Sequence, residues 1–409
     1  MKLKNLHYGW ILVIIAACVL VTYAMSAYTR GIFLKPLTDE FNWDRGAVSG
    51  AYSASMIVAG LLAVFSGRIS DKYGPRIAIT ALGLLTGIGL LLMWQVNSLW
   101  QLYLIWGLFM GVGGSCGIAP ITATVAKWFT KKRGLAIGII YTGFSLGSMI
   151  WPPVAERLIS TFGWQQTYLI LGLITLGVIV PLAQFTKHGP QQIGLKPYGE
   201  GERIENKQPL DLVTAGLSFA QAVKSGGFWL IGLIRFCSFF SLQVIAIHLY
   251  PYAVDVGIPP MTAAMLLSVT AGSGIISRLS MGFISDKIGS RWAVTACLTQ
   301  LTLALIWLLF IKETWLFFAF AVAFGLAWGG QGVAQTLLIT ELFGSRSLGA
   351  IMGSLEVFLM IGGALGTVLA GSIFDITRSY HLAFLLCTAL GILAVIFGLC
   401  LVRYKGKIE

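Results

Sequence analysis

The chain has 409 residues, of which 57% are hydrophobic and only 11% charged, against roughly 25% charged in ordinary soluble domains. A soluble protein covers its surface with charge, so this depletion excludes a soluble enzyme or binding module and implies a surface that faces lipid. A closed β-barrel would show alternating segments of about ten residues, whereas the apolar runs here are about twenty long, and at ~20 residues per span the chain holds about twelve helices.

In chain order the hydropathy pattern predicts spans near 8–31, 46–67, 77–95, 100–126, 134–156, 165–186, 226–250, 262–284, 292–311, 315–340, 349–373 and 380–402. The first run is too long for a signal peptide and lacks a clear cleavage site, so it reads as the first span. The net charge of +12 could steer a nucleic acid, but the positions of the cations give another reason. With both termini on one side, that side receives twenty of the 28 Lys and Arg residues, and the opposite side receives six: Arg30, Lys35, Arg45, Arg157, Lys312 and Arg378. Arg235 and Arg278 fall inside spans. This bias over short loops follows the positive-inside rule and predicts a multi-pass protein of the cytoplasmic membrane with both termini cytoplasmic. All six cysteines, Cys18, Cys116, Cys237, Cys297, Cys387 and Cys400, fall in predicted spans with no C-x-x-C spacing, and read as small packing residues.

The only long polar stretch, about 187–225, is rich in Gly and Pro and reads as a cytoplasmic linker. It divides the chain into an N-terminal six-helix bundle, 1–186, and a C-terminal one, 226–409. The two halves repeat. GRISDKYGPR, from Gly67 to Arg76, matches GFISDKIGSR, from Gly282 to Arg291, at an offset of 215, and the same offset carries Gly134, Gly138 and Gly147 onto Gly349, Gly353 and Gly362. Two parallel halves with a site near the midplane is a design of many secondary transporters.

The repeated G-x-x-x-D-(R/K)-x-G-x-(R/K) pattern resembles the signature loop of the major facilitator superfamily, and the likeness covers the whole chain. It implies an all-α integral membrane fold of twelve helices in two six-helix bundles. In that reading Asp71, Arg76, Asp286 and Arg291 belong to gating loops, where the carboxylates can pair with neighbouring cations or cap a helix. Narrower matches point to one branch. KWFTKKRGLAIG, from Lys127 to Gly138, resembles the run entering helix five of the monocarboxylate transporters and the bacterial oxalate/formate antiporters. RLSMG, from Arg278 to Gly282, resembles the helix-eight segment whose arginine holds the substrate carboxylate. His7-Tyr8-Gly9-Trp10 is similar to the aromatic-glycine start of helix one in monocarboxylate carriers. Tyr28 and Trp328 match aromatic positions that line the pocket of the oxalate branch. Three places depart from the pattern. Animal-type carriers have an Asp where this chain has Gly274, and a helix-one Lys near the place of Ala27 or Tyr28. Oxalate antiporters have a Lys where this chain has Leu355 or Glu356.

Charge at membrane depth leads to the same place. An ionisable residue there costs at least ~2.5–3.5 kcal/mol and is functional by default; Arg235, Arg278 and Glu356 lie well inside the predicted spans. Arg278 is eight residues before Asp286, hence ~12 Å deeper at 1.5 Å per residue, near the middle of a ~30 Å hydrocarbon core. Gly274 and Gly282, one turn away, are expected to leave space around it. Its guanidinium fork suits a carboxylate; the alternative is a structural arginine bonded to backbone carbonyls. Arg235 and Glu356 are expected to pair, leaving one net positive charge for a monoanion; the rival role for Glu356 is proton carrier. Tyr28, Cys116, Tyr141, Phe144 and Trp328 are candidates for the apolar and aromatic wall, although packing is the commoner role of such residues. The amides Gln243, Gln331 and Gln335 read as helix-bonding groups, and His248 as an interfacial residue.

No span carries a Ser/His/Asp set or an H-E-x-x-H spacing, so no enzyme activity, cofactor or metal is expected. The expected function is proton-coupled symport of small monocarboxylates of the lactate/pyruvate type, with a carboxylate antiporter of the oxalate/formate type as the alternative. The expected partners are a small monocarboxylate anion, a proton and the lipid bilayer, with no nucleic acid, and the chain is expected to work as a monomer.

Overall fold

The computed structural model describes residues 7–199, 216–311, 313–344 and 346–404. Among these, twelve helices are long and apolar enough to cross a membrane: α1 Tyr8–Phe41, α2 Arg45–Tyr73, α3 Pro75–Gln95, α4 Leu99–Lys127, α5 Arg133–Phe162, α6 Trp164–Gln184, α7 Gly226–Asp255, α8 Pro260–Ile288, α9 Ser290–Leu308, α10 Thr314–Phe343, α11 Leu348–Thr377 and α12 His381–Arg403. Their outward side chains are large and apolar, with Leu61 69%, Phe283 75% and Ile376 83% exposed, an arrangement suited to lipid.

Several helices run past the limits that hydropathy set. α1 continues beyond residue 31 to Phe41, with a break at Thr29 between two helical stretches, Tyr8–Tyr28 and Arg30–Phe41. α4 is irregular. Its backbone widens to a π-helix over Tyr103–Met110 and breaks at Cys116 and Gly117 before resuming at Ile118.

Contacts group the chain into two compact units, Met1–Trp43 with Ala47–Arg203, and Asp44–Gly46 with Ile204–Glu409. The polar stretch expected as a linker is shared between them. In the first unit the Tyr198 N–H donates to the Trp128 carbonyl, and Thr130 and Lys131 donate to that of Tyr198. In the second, Leu217 donates to the Phe343 carbonyl. Residues 200–215 of the linker lie outside the described residues.

The repeat read from sequence extends to packing. In the first unit α1 lies along α5 and α3 along α6; in the second, α7 lies along α11 and α9 along α12. Gly143 and Gly147 of α5 meet the backbone at Ala17 and Val21, and Gly362 and Gly366 of α11 meet it at Phe236 and Phe240, while Gly232 takes the ring of Phe358. The pairs 17–143, 21–147, 232–358, 236–362 and 240–366 all share a separation of 126, so the two helix pairs run parallel in one register. Small residues allow this approach without a hydrophobic drive between helices in lipid. A methyl on Gly362 would collide with the Phe236 carbonyl, which belongs to backbone and cannot rotate away. Gly362→Ala is therefore expected to cost about 1–3 kcal/mol, read as a lowered melting temperature of the detergent-purified protein.

The two signature loops share their turn geometry. Gly74 has φ +92° and Gly289 φ +82°, each preceding the first residue of the next helix. A side chain at either position would be strained, which explains why the motif holds glycine there in both halves.

Candidate substrate site and gating loops

In the second unit, α7 and α11 supply the buried ion pair. Arg235 Nη1 donates to Glu356 Oε1 at 2.6 Å. The shared register explains the partnership: side chains on helices lean toward the N-terminus, so Arg235 reaches back to the level where Gly232 faces Phe358, beside Glu356. The pair is lopsided. Arg235 is 5% exposed, whereas the Glu356 side chain is 44% exposed. The Arg235 Nε is buried with no partner among the described residues.

Arg278 lies on α8, ten residues before its end at Ile288, and is half-buried beside buried Ser277. The expectation that Gly274 leaves space for it needs correction. The position is filled by α10: Gly274 packs against the backbone at Gly325 and Gly329, and the bare Cα serves that close crossing of α8 and α10. Gly282 does have open space beside it. Trp328 on α10 is half-buried and packs on Phe239 of α7 with ring centroids 5.7 Å apart.

In the first unit, Tyr28 meets Phe144 edge-on at 5.7 Å, and Phe144 also packs on Tyr23 at 6.2 Å. Tyr23 in turn lies against Gly114 and Gly117 at the break in α4, which holds Cys116. The structure thus gathers Tyr28, Phe144 and Cys116 around Tyr23, a residue that the sequence reading did not select. Tyr141, also on α5, is 41% exposed. Arg30, counted from sequence on the outer side near the end of the first span, opens the second helical stretch of α1. Its Nε donates to the Ser26 carbonyl at 2.7 Å and its Nη1 to Ser55 Oγ at 2.8 Å, and the guanidinium stacks 4.4 Å from the Tyr52 ring. The charge interrupts the hydropathy run there, and the helix continues because serine and aromatic partners accept it.

The loop arginines are held by residues outside their own motif. Arg76 Nε donates to Gln184 Oε1 at 2.6 Å. Arg291 Nη1 donates to the Tyr404 carbonyl at 2.7 Å, and its Nε lies 3.7 Å from Glu341, which also accepts from Ser290. Asp286 is exposed and makes no ion pair among the described residues; the Asp71 side chain lies outside what is described. The aromatic-glycine start of α1 and the run that enters α5 pack on each other. His7 caps α1 by accepting from the Gly9 N–H, and Tyr8 and Trp10 pack on Trp128 and Phe129. His248 also needs correction. It is fully buried, not interfacial, with Nε2 2.9 Å from the Thr367 carbonyl and Nδ1 3.1 Å from Tyr380 Oη.

The Major Facilitator Superfamily profile matches residues 15–295 and 231–407. The chain belongs to this superfamily. Among its relatives are an uncharacterised superfamily transporter, YcxA, of Bacillus subtilis, 27% identical with 89% of this chain and 88% of that one covered, and monocarboxylate transporter 12 of Homo sapiens, 27% identical over 93% and 78%. The fold is that of a bacterial homologue of the human lysosomal transporter Spinster, with a TM-score of 0.79, 15% identity and 97% of each chain covered. Membership in the superfamily makes this chain a multi-pass membrane transporter. Arg76 and Arg291, related by the 215 offset, each tie the start of one helix to a neighbouring element.

Proposed function

We propose that the chain carries small monocarboxylates of the lactate/pyruvate type across the cytoplasmic membrane, together with a proton, by alternating access of its two six-helix halves. The observation that carries this reading is Arg278: a guanidinium in the interior of α8, in a segment resembling that of the carboxylate carriers, in a chain similar to monocarboxylate transporters. Arg235 pairs with Glu356, and Arg278 is proposed as the guanidinium that meets the substrate carboxylate. Carboxylate binding neutralises it and lowers the cost of closing apolar side chains around the substrate. Tyr28, Phe144, Cys116, Tyr141 and Trp328 are proposed to shape the wall, and Glu356 is the candidate to take up the proton. The bias of basic residues supports cytoplasmic termini. The protomer is proposed to act as a monomer.

Gly274, where animal carriers have an acidic residue, favours one second reading: exchange of carboxylates without a proton. Uptake of labelled lactate, pyruvate, formate and oxalate into proteoliposomes separates the two. Symport predicts lactate and pyruvate uptake accelerated by an inward proton gradient and little oxalate uptake. Stimulation by internal carboxylate with no response to the gradient would establish exchange, and uptake of none of the four would defeat both.

A further inference from the structure

At the end of the first unit where α3 and α5 begin and α4 and α6 finish, several segments are tied into one surface. Arg76 joins the start of α3 to Gln184 of α6. The Trp128 indole N–H donates to the Lys187 carbonyl at 3.4 Å, which joins α4 to the segment after α6. His7, ahead of α1, has its Nε2 3.0 Å from the Lys196 carbonyl, and Tyr198 shares backbone bonds with the α4–α5 loop. Trp128 and Phe129 anchor that loop, 0% and 3% exposed, while Lys127, Lys131, Lys132 and Arg133 beside them are all exposed. Lys132 makes the turn at φ +62°, a conformation that glycine adopts without strain. Lys72 and Arg76 are exposed on the α2–α3 loop. Large apolar side chains stand next to these cations in sequence, with Tyr73 60% and Leu135 55% exposed, so the charge borders the lipid-facing belt.

Membrane orientation alone does not account for this surface. The positive-inside rule places Lys and Arg but is nearly indifferent to Asp and Glu. The internal repeat supplies a comparison within the same chain. At the offset of 215, Lys127, Lys132 and Arg133 correspond to Leu342, Ser347 and Leu348, and only Lys131 meets another cation, Arg346. Glu341, which lies 3.7 Å from the Arg291 Nε in the second unit, corresponds to Ala126. From residue 72 to residue 155 the sequence has no Asp or Glu at all, and the group that accepts from Arg76 is a neutral amide. The first unit has therefore gained cations and lost acids where the second balances its charge. A cationic face that borders lipid is complementary to anionic headgroups, and each Lys or Arg near such a surface adds to the attraction.

We propose that this face of the first unit is a binding surface for anionic phospholipid headgroups, centred on Lys131, Lys132 and Arg133. Its test needs no substrate, so it stands or falls independently of which anion is carried. Native mass spectrometry of the full chain, released from micelles holding equal amounts of phosphatidylglycerol and phosphatidylcholine, would count the lipids retained. The unaltered protein is expected to keep phosphatidylglycerol in preference. Lys131→Gln, Lys132→Gln and Arg133→Gln together are expected to reduce that preference about fivefold or more. Their melting temperature should not change, because all three side chains are exposed. Lys224→Gln, Lys287→Gln and Arg403→Gln together remove the same charge from the second unit and are expected to leave the preference nearly intact. Equal losses from the two sets would reduce the effect to net charge and overturn the proposal. So would the absence of any preference in the unaltered protein, or retention of added inorganic phosphate in place of the lipid.

Discussion

Arg278→Gln is expected to lower the apparent affinity for a monocarboxylate about a hundredfold. A charge-assisted, two-point contact between guanidinium and carboxylate contributes about 3 kcal/mol, and each 1.4 kcal/mol is tenfold in affinity. Arg278 is half-buried, so the charge lies between full exposure and full burial, which sets the scale. Glutamine keeps hydrogen-bond donors and loses the charge, whereas Arg278→Lys keeps the charge and loses the fork. Lysine is therefore expected to fall between the two, with a raised KM and a smaller change in maximal rate. Concentration dependence of uptake, measured for all three proteins at equal reconstitution, would check the order. Wild-type affinity in the glutamine variant would remove Arg278 from the site.

Glu356→Leu is expected to destabilise the protein by about 3 kcal/mol, because removing one partner of a buried pair leaves an uncompensated charge. The charge left behind is Arg235, 5% exposed, whose Nε already lacks a partner among the described residues. Exposure of the glutamate side chain limits the loss, since water can replace part of the contact. Glu356→Leu combined with Arg235→Met is expected to recover most of the stability, which a thermal double-mutant cycle would show as strong coupling. Additive losses would mean that the pair contributes no interaction of its own. Glu356→Gln keeps an acceptor for Arg235 and removes the titratable group. If Glu356 carries the proton, that variant loses its response to a pH gradient while remaining folded.

Much of the fold was legible because lipid imposes a simple rule on sequence. Long apolar runs marked the twelve helices, and the offset of 215 marked the repeat through glycines that later proved to be contacts and turns, such as Gly147 and Gly362 or Gly74 and Gly289. Helix ends were less legible. Arg30 and Arg45 interrupt hydropathy and marked the limits of predicted spans, yet helix continues through or from each because distant partners accept the charge: Ser55 and Tyr52 in one case, Asp255 and Tyr380 in the other. No local pattern encodes such partners. His248 read as interfacial for the same reason, since Thr367 and Tyr380, which satisfy it, are far away in sequence. Gly274 was legible as a small residue but not for its purpose. A missing side chain can make room for a ligand or for a helix, and here the helix is α10. Tyr23 carried no signal beyond being one aromatic among many. Its place between Phe144 and the break in α4 depends on how three segments meet.

The most direct measurement compares a carboxylate with its neutral amide. Labelled lactate uptake by the unaltered protein in proteoliposomes would be challenged with unlabelled pyruvate and with lactamide, which matches lactate in shape but carries no charge. Recognition by the Arg278 guanidinium predicts saturable uptake that pyruvate suppresses and lactamide leaves unchanged. Equal competition by the amide, or no saturable lactate uptake, would contradict a carrier built around a carboxylate.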